Sequence, residues 1–400
     1  MNTTLDEIIL KTDKIKAALQ AASIDSLLLG SVPNFLYLTG SVAQGYIFIH
    51  KDEALPLLFL ERPTYVLEGY PEELIFNVRK PELIPDLLME RGLAISSTTA
   101  LELGYLPVTD YQRLSKLSPE GVSGVDASSL MRSVRSIKTE QELTAIRHLA
   151  EVHMEIYRLV PELYQSGMSE LDLQHQLEYQ MRRRGSIGLF RSFGARSEIF
   201  MGNVISGRNA DNPAPYDFTM GGKGSFAMPM GASNQEIAPN TTVMVDMSGN
   251  YGVYQTDITR TYYLGTLPEE VHKAHQLSME LHKWFQTYAK EGAPVAEVFN
   301  HCATRAEEEG LSDYFMGHAN KVKFVGHGFG IEINEVPVLT ARSRDTFRSG
   351  MTIALEPKFV FPEVGAVGLE NSYIIGTEGA ENITPLPEEL TPLCQDDLSV

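Results

Sequence analysis

The first third of the chain alternates between helix-like and strand-like spacing of its apolar residues. Residues 5–22 carry apolar side chains every three or four positions, which predicts an amphipathic helix. Short apolar runs at 25–30, 46–50 and 55–60 predict strands, and further helices and strands follow. Because the two kinds of element alternate, residues 1–131 are predicted to form one α/β domain.

The pattern changes at residues 132–138, a polar and basic stretch that we interpret as a junction. Residues 132–400 are expected to form a second domain. A long helix is predicted near its start, because Thr139 and Glu142 have the spacing of a capping box. Another amphipathic helix is expected to begin at Pro268, and short strands and turns dominate the remaining segments.

Two aspartates lie on the arms of a predicted β-hairpin. Residues 241–247 and 254–264 are rich in strand-forming side chains, and turn-forming residues occupy 248–252. A hairpin folded about this turn would place Asp246 opposite Asp257, with their Cβ atoms about 5 Å apart. Two carboxylates that close repel each other unless a proton or a cation lies between them. From this stretch alone, a solvated turn flanked by two aspartates remains an alternative.

A second acidic pair occurs near the C-terminal end of the chain. Glu356 ends one apolar run, and Glu370 lies in another. A hairpin centred near Glu363 would place the two side chains opposite each other. A carboxylate beside an apolar strand costs several kcal/mol to bury unless it is paired or bound to a metal, on the order given by transfer energies. The pair therefore favours a site that binds a cation.

A glycine-framed histidine completes the set of chemically useful residues. His327 lies between glycines at 326, 328 and 330, which are expected to leave room for close approach to its imidazole. A lone histidine in such a loop is more often structural. Together with the two acidic pairs, however, it gives a donor set suited to two divalent ions such as Mn, Co, Zn or Fe. His275 and His282 are predicted to be helix-surface residues.

Composition excludes several classes of partner. The net charge of -19 argues against nucleic acid and against anionic membrane surfaces. Cys302 and Cys394 are the only cysteines, so a cysteine-based metal site is excluded and a reduced, cytoplasmic location is expected. The first residues lack the pattern of a signal peptide, and no apolar run approaches the roughly 20 residues that span a bilayer.

The motifs resemble those of the creatinase/prolidase/aminopeptidase P family of pita-bread metallopeptidases. The resemblance covers almost the whole chain and implies a creatinase-type α/β N-terminal domain, followed by an α+β pita-bread catalytic domain. Its metal motifs are D-x10-D-x-T-R, G-H-G-x-G, E-P and a final ligand glutamate. The five positions that match them keep the expected residue types: Asp246, Asp257, His327, Glu356 and Glu370.

The resemblance also implies a role for each of these residues. Asp246 and Asp257 would bind one ion. Asp257 and Glu370 would bridge to a second ion, and His327 and Glu356 would complete the ligands of that second ion. A metal-bridging hydroxide would attack an amide carbonyl, and Glu356 would transfer its proton. Family members are commonly homodimers. The implied activity is that of an Xaa-Pro aminopeptidase or an Xaa-Pro dipeptidase acting on small peptides.

The chain departs from the family pattern around this set. Two histidines that position substrate in the peptidases are replaced, one by Asn334 and the other by Met230. Asparagine can donate a hydrogen bond but cannot deliver a proton, and methionine does neither well. His318 is a candidate substitute for the missing imidazoles. In addition, Gly368 stands where the family has arginine, and Asn371 stands where it has aspartate.

Three hypotheses follow from these residues. The first is a dinuclear metal-dependent peptidase, motivated by the intact ligand set. The second is a metal-dependent hydrolase or lyase acting on a small non-peptide compound, as in creatinase, ectoine hydrolase or a dimethylsulfoniopropionate lyase, and the departures at Met230 and Asn334 motivate it. The third is a non-catalytic peptide-binding relative, which the complete ligand set disfavours.

Overall fold

The computed structural model describes residues 3–62, 69–194, 201–216 and 221–393. The chain divides into two compact units, of which the first runs to Arg135 and the second begins at Ser136. None of the described helices combines the length and the hydrophobicity that crossing a bilayer requires.

The first unit has the predicted alternation of helices and strands. Its helices are α1 Leu5–Ala22, α2 Val32–Thr39, α3 Ile84–Met89, α4 Val108–Leu114 and α5 Ala127–Ser136. Its strands are β1 Ser26–Leu29, β2 Gly45–His50, β3 Leu57–Leu60, β4 Ile75–Asn77 and β5 Thr99–Leu101. They form one mixed sheet in the order β4-β3-β2-β1-β5. The α/β prediction for this part of the chain is therefore confirmed.

The second unit combines long helices with antiparallel strands. Its helices are α6 Glu140–Leu163, α7 Glu170–Arg183, α8 Glu269–Tyr288 and α9 Ala296–Glu308. Its strands are β6 Gly202–Ser206, β7 Thr241–Asn250, β8 Gln255–Leu264, β9 Gly326–Gly328, β10 Glu335–Val338, β11 Thr352–Leu355, β12 Lys358–Phe361, β13 Gly365–Gly368, β14 Asn371–Ile375, β15 Ala380–Asn382 and β16 Thr391–Pro392.

Two larger sheets organise these strands. One has the order β16-β8-β7-β6, the other has the order β10-β9-β11-β14-β15, and β12 pairs with β13. The described cores pack α6 and α7 against β7 and β8, and α8 and α9 against the C-terminal strands. The sheets meet where Thr259 of β8 pairs with Glu370 just before β14. This junction brings the predicted ligand motifs into one region.

Capping explains where the first two helices of the second unit, α6 and α7, begin. The Thr139 hydroxyl accepts a hydrogen bond from the Glu142 amide, and the Glu142 carboxylate accepts one from the Thr139 amide. Ser169 and Asp172 form the same reciprocal pair at the start of α7. Each pair satisfies two amides that the first turn of a helix leaves without partners. The capping box predicted at Thr139 and Glu142 is confirmed.

The predicted junction at residues 132–138 is partly helical. Helix α5 continues through Ser136, because Met131 and Arg135 are buried on one of its faces. The boundary between the two units still falls within the predicted junction. Residues 121–126 form no strand and make only an isolated bridge between Leu101 and Asp126. Two glycines and a serine at positions 121–124 favour turns over a continuous ladder.

His282 is buried, so the prediction that it lies on the helix surface is wrong. Its Nδ1 lies 2.8 Å from the Tyr373 hydroxyl, and its Nε2 lies 3.1 Å from the Leu369 carbonyl. Burial lowers the pKa of His282 from 6.5 to about 3. His275 is buried as well, with Nε2 2.7 Å from the Glu388 carbonyl. Both ring nitrogens of His282, and Nε2 of His275, therefore have structural partners.

We expect His282 to make the protein less stable in mild acid. Below pH 6.5 the unfolded chain takes up a proton that the folded protein excludes, so the free energy of unfolding falls as the pH falls. The free energy of unfolding of the wild type relative to that of His282→Gln should fall by about 2 kcal/mol between pH 7.5 and pH 5. Urea unfolding with chelator at both pH values measures this difference. If the difference in free energy of unfolding between the two proteins were the same at both pH values, the assignment of a neutral buried ring would be contradicted.

Candidate metal centre

The first hairpin has a different register from the predicted one. Asp246 pairs with Thr259, and Asp257 pairs with Ser248, so the two aspartates are diagonal neighbours rather than direct partners. The prediction of direct opposition was wrong because β7 continues through Asn250 instead of turning at residues 248–252. Since the shift is two residues, both carboxylates still lie on the same face of the hairpin.

The second acidic pair has the predicted register. Leu355 pairs with Asn371 in one ladder, and Lys358 pairs with Gly368 in the next. Glu356 and Glu370 therefore face each other in the short interval between the two ladders. Both side chains are buried, at 7% and 1% exposure respectively. The interruption of pairing at this point allows the carboxylates to point toward the first hairpin.

His327 lies on the middle strand of a three-strand arrangement. Strand β9 pairs with β11, where His327 is opposite Ala354, and with β10 on its other side. A side chain at position 326 would collide with the Ala354 carbonyl, and one at position 328 with the Val336 carbonyl. Gly326 and Gly328 therefore make room for neighbouring backbone. The sequence had led us to expect that they make room for a ligand of the imidazole, and this expectation is corrected.

Three of the predicted ligands converge. Donor atoms of Asp257, His327 and Glu370 all lie within 4.8 Å of one another, so the three residues could hold a metal ion. His327 Nε2 lies 4.0 Å from Asp257 Oδ2 and 3.7 Å from Glu356 Oε1. Two carboxylates and one imidazole are suitable donors for a Mn, Fe, Co or Zn ion. The residues present thus fit at least one divalent cation.

The electrostatics of the cluster also favour a cation. Burial, followed by the charges of Glu370, Asp246 and Glu356, raises the pKa of Asp257 well above its usual value. Burial is also the main reason why the pKa of Glu370 rises to about 8. Without metal, the surroundings therefore disfavour the ionised form of both carboxyl groups. A bound cation would stabilise their ionised forms instead.

Lys358 provides an internal cation at this cluster. Its Nζ lies 2.9 Å from Asp246 Oδ2, 2.8 Å from Glu356 Oε2 and 3.5 Å from Glu370 Oε2. The side chain is only 1% exposed. Burial alone would lower the pKa of Lys358, but the three carboxylates outweigh it and raise that pKa well above the usual value. Two of the five predicted ligands, Asp246 and Glu356, are thus engaged by an ammonium group.

Thr259 and Ser372 hold the ligand strands in place. The Thr259 hydroxyl donates to Glu370 Oε2 at 2.8 Å, and the two residues also exchange backbone hydrogen bonds. The Ser372 hydroxyl donates to the Asp257 carbonyl at 2.8 Å and accepts from the Asp257 amide at 3.1 Å. These contacts fix the two backbones that carry Asp257 and Glu370, so the donor atoms converge without a large rearrangement.

Replacing Thr259 by valine should weaken metal binding. Valine keeps the shape of threonine but removes the hydroxyl that orients Glu370 Oε2. Removing a partner that orients a metal ligand typically lowers affinity about 10- to 100-fold. Isothermal titration of the metal-free protein with Mn²⁺ measures this change. The matched control is Thr261→Val, because the Thr261 hydroxyl donates only to the Gly368 carbonyl, at 2.7 Å. Equal losses in both variants would contradict the role of Thr259.

The other predicted site residues are not joined to this cluster by the contacts described. The Asn334 amide is used by the Phe193 backbone, from which its Oδ1 accepts at 2.7 Å and to which its Nδ2 donates at 2.9 Å. Met230 is buried, at 2% exposure, and its amide donates to the nearby Met228 carbonyl. His318 forms a partly exposed pair with Asp211 at 3.1 Å, which argues against its acting as a substitute imidazole.

The two departures from the family pattern beside Glu370, at Gly368 and Asn371, each have a basic residue as neighbour. A side chain at position 368 would collide with the backbone at Pro357 and Lys358, so no arginine fits there in this backbone conformation. Gly368 is instead the cross-strand partner of Lys358. Asn371 Oδ1 accepts a hydrogen bond from Arg260 at 2.7 Å. From the sequence, Lys358 is a cation only two residues after Glu356; the structure shows in addition that it contacts three of the predicted ligands.

Two family matches cover most of the chain. Residues 144–377 match Metallopeptidase family M24, and residues 11–137 match the Creatinase/Prolidase N-terminal domain. Curated relatives include an Xaa-Pro dipeptidase of Pyrococcus furiosus, 25% identical over 385 residues, which covers 95% of this chain and 99% of that protein. The uncharacterized peptidase YqhT of Bacillus subtilis is 25% identical over 395 residues and covers 95% of this chain and 99% of that protein.

Solved structures share the fold. An Xaa-Pro dipeptidase from Bacillus anthracis has a TM-score of 0.79 at 24% identity, and the match covers 96% of this chain and 99% of that one. An X-Pro aminopeptidase from Thermotoga maritima MSB8 has a TM-score of 0.74 at 19% identity, and the match covers 95% and 99%. The predicted fold class is confirmed. Since the family match spans more than half of its length, the chain belongs to Metallopeptidase family M24.

Proposed function

We propose that this protein is a metal-dependent hydrolase that cleaves Xaa-Pro peptides, with Xaa-Pro dipeptides as its first substrate class. The observation that carries the proposal is the convergence of the Asp257, His327 and Glu370 donor atoms within 4.8 Å. Relatives that align over 95% of this chain include Xaa-Pro dipeptidases of two Pyrococcus species, which supports the substrate class.

The ligand residues would hold a divalent ion at the junction of the two sheets. Such an ion, when bound, activates water and polarises an amide carbonyl. Asp257 and Glu370 are buried on adjoining strands, so their carboxylates would hold the ion away from bulk water. His327 would complete the donor set from β9. Thr259 would keep Glu370 oriented through the hydrogen bond to its Oε2.

Glu356 is the residue that we assign to proton transfer. Its Oε2 accepts a hydrogen bond from Lys358 at 2.8 Å, while its Oε1 faces His327 Nε2 at 3.7 Å. Because Lys358 fixes one oxygen, Oε1 is positioned to accept the proton of the attacking water. The same oxygen would then return the proton to the departing amine.

A substrate panel tests this proposal. Protein loaded with Mn²⁺, Co²⁺ or Zn²⁺ should hydrolyse Xaa-Pro dipeptides, and the activity should disappear with chelator. Tripeptides with proline in second position distinguish a dipeptidase, which should leave them intact, from an aminopeptidase, which should cleave them. Absence of hydrolysis of both substrate types by metal-loaded, folded protein would overturn the proposal.

A second candidate is a hydrolase or lyase of the same metal chemistry acting on a small non-peptide compound. It is favoured by the environment of Asn334, whose amide accepts one hydrogen bond from the Phe193 backbone and donates one to it, and by the burial of Met230. Neither residue presents an imidazole to a peptide carbonyl. Turnover of amidino, betaine or ectoine compounds without turnover of proline peptides would select this candidate.

The proposal includes a homodimer in the cytoplasm, with small molecules as substrates. The dimer is implied by the family resemblance, and the location by the two cysteines in 400 residues. Light scattering coupled to size-exclusion chromatography measures the mass of the particle. A mass near twice 44.4 kDa is expected, and a mass near 44.4 kDa would exclude the dimer.

A further inference from the structure

We propose that this centre binds one divalent ion per chain, and that the ammonium group of Lys358 takes the place of a second ion. The inference deepens the proposed function and rests on it, since both concern the same cluster. It differs from the expectation of two ions that the five predicted ligands suggested.

The contacts of Lys358 are those of a cation at the centre of an anionic group. Its Nζ is within 2.9 Å of carboxylate oxygens from Asp246 and Glu356 and within 3.5 Å of one from Glu370. These carboxylates come from strand β7 and from the interval between β11 and β14. A lysine with 1% exposure cannot exchange these partners for water without moving. The group therefore already contains a positive charge before any metal binds.

The metal-binding donors overlap with this group at one residue, Glu370. Within the described residues, the donor atoms that lie within 4.8 Å of one another belong to Asp257, His327 and Glu370. Asp246 is directed at Lys358 instead, and Glu356 has one oxygen on Lys358 and the other toward His327. Glu370 is the residue common to both groups. The ligands thus form one metal-binding set and one ammonium-binding set.

A second divalent ion would have to compete with the ammonium for the same oxygens. Ions of this kind bind carboxylate oxygen at about 2.0–2.2 Å. An ion at that distance from Asp246 Oδ2 would lie close to Nζ, which is 2.9 Å from the same oxygen. Like charges so close in a buried site repel strongly. One divalent ion and the ammonium together offset three of the four carboxylate charges, whereas a second divalent ion beside the ammonium would leave the group with a net positive charge.

Metal stoichiometry tests the inference without any assay of activity. Purified full-length protein is stripped with chelator, equilibrated with excess Mn²⁺, desalted and analysed for metal per chain. The wild type should bind one ion, and Lys358→Ala, which removes the ammonium and opens its space, should bind two. Lys138→Ala is the matched control and should stay at one, because Lys138 is equally buried but its carboxylate partner is Glu335, at 3.1 Å.

A second variant keeps the test decisive if Lys358→Ala fails to fold. Asp246→Asn should still bind one ion with an affinity within about threefold of the wild type, because Asp246 contacts the ammonium rather than the ion. Two ions on the wild type, one ion on folded Lys358→Ala, or loss of the ion in Asp246→Asn would each overturn the inference. No ion on the wild type would instead overturn the proposed function itself.

Discussion

Replacement of Asp257 by asparagine is expected to abolish both metal binding and peptide hydrolysis. Asp257 is buried in the ligand set, and its backbone is fixed by two hydrogen bonds with Ser372, so the side chain at this position stays in the ligand set. Asparagine keeps the shape but loses the negative charge that the ion requires. Losing several kcal/mol of metal-dependent transition-state stabilisation corresponds to a fall of about 10³-fold or more in kcat/KM.

The control for this variant is the same substitution at a surface site. Asp211 pairs with the partly exposed His318 and is not one of the converging ligands, so Asp211→Asn should retain metal and activity close to wild-type values. Steady-state hydrolysis of an Xaa-Pro dipeptide, measured beside bound metal per chain, compares the two variants. Retention of metal and more than a tenth of wild-type activity by folded Asp257→Asn would contradict the assignment of Asp257.

Replacement of Arg260 by methionine is expected to cause a large loss of stability. The buried guanidinium donates to the Thr259 and Glu370 carbonyls at 2.8 and 2.9 Å, and to Asn371 Oδ1 at 2.7 Å. It also donates to the carbonyls of Thr384 and Pro387, which ties the C-terminal segment to β8. Leaving so many buried acceptors without a donor should reduce the free energy of unfolding by about 3–5 kcal/mol.

The loss should extend to metal affinity, because Arg260 holds the backbone on which Glu370 lies. Urea unfolding and Mn²⁺ titration measure the two effects. Arg208→Met is the matched control, since Arg208 pairs with Glu363 on an exposed surface and should leave the unfolding midpoint almost unchanged. If both arginine variants lost the same stability, the network around Arg260 would not be what holds this junction together.

The sequence predicted those parts of the fold that local chemistry determines. The start of α6 follows from the Thr139 and Glu142 pair, and the ends of α1 follow from its apolar periodicity. The register of the second hairpin was also predictable, because apolar runs flank Glu356 and Glu370 on both sides. Motif spacing correctly indicated that Asp257, His327 and Glu370 would converge.

The sequence could not predict features that depend on contacts between distant segments. The register of the first hairpin differs by two residues from the predicted one, because Gly249 and Asn250 belong to β7. Both residues are typical of turns. The direction of the Lys358 side chain depends on Asp246, which lies 112 residues away in another sheet. The use of Asn334 by the Phe193 backbone depends likewise on a contact across 141 residues.

We propose that one buried set of ligands holds the metal of this enzyme. Anomalous diffraction from Mn²⁺-soaked crystals, recorded near the manganese edge, tests this most directly. A peak about 2.0–2.3 Å from donor atoms of Asp257, His327 and Glu370 is the predicted result. Fully soaked crystals with no peak at these three residues, or with manganese bound only elsewhere on the chain, would contradict it.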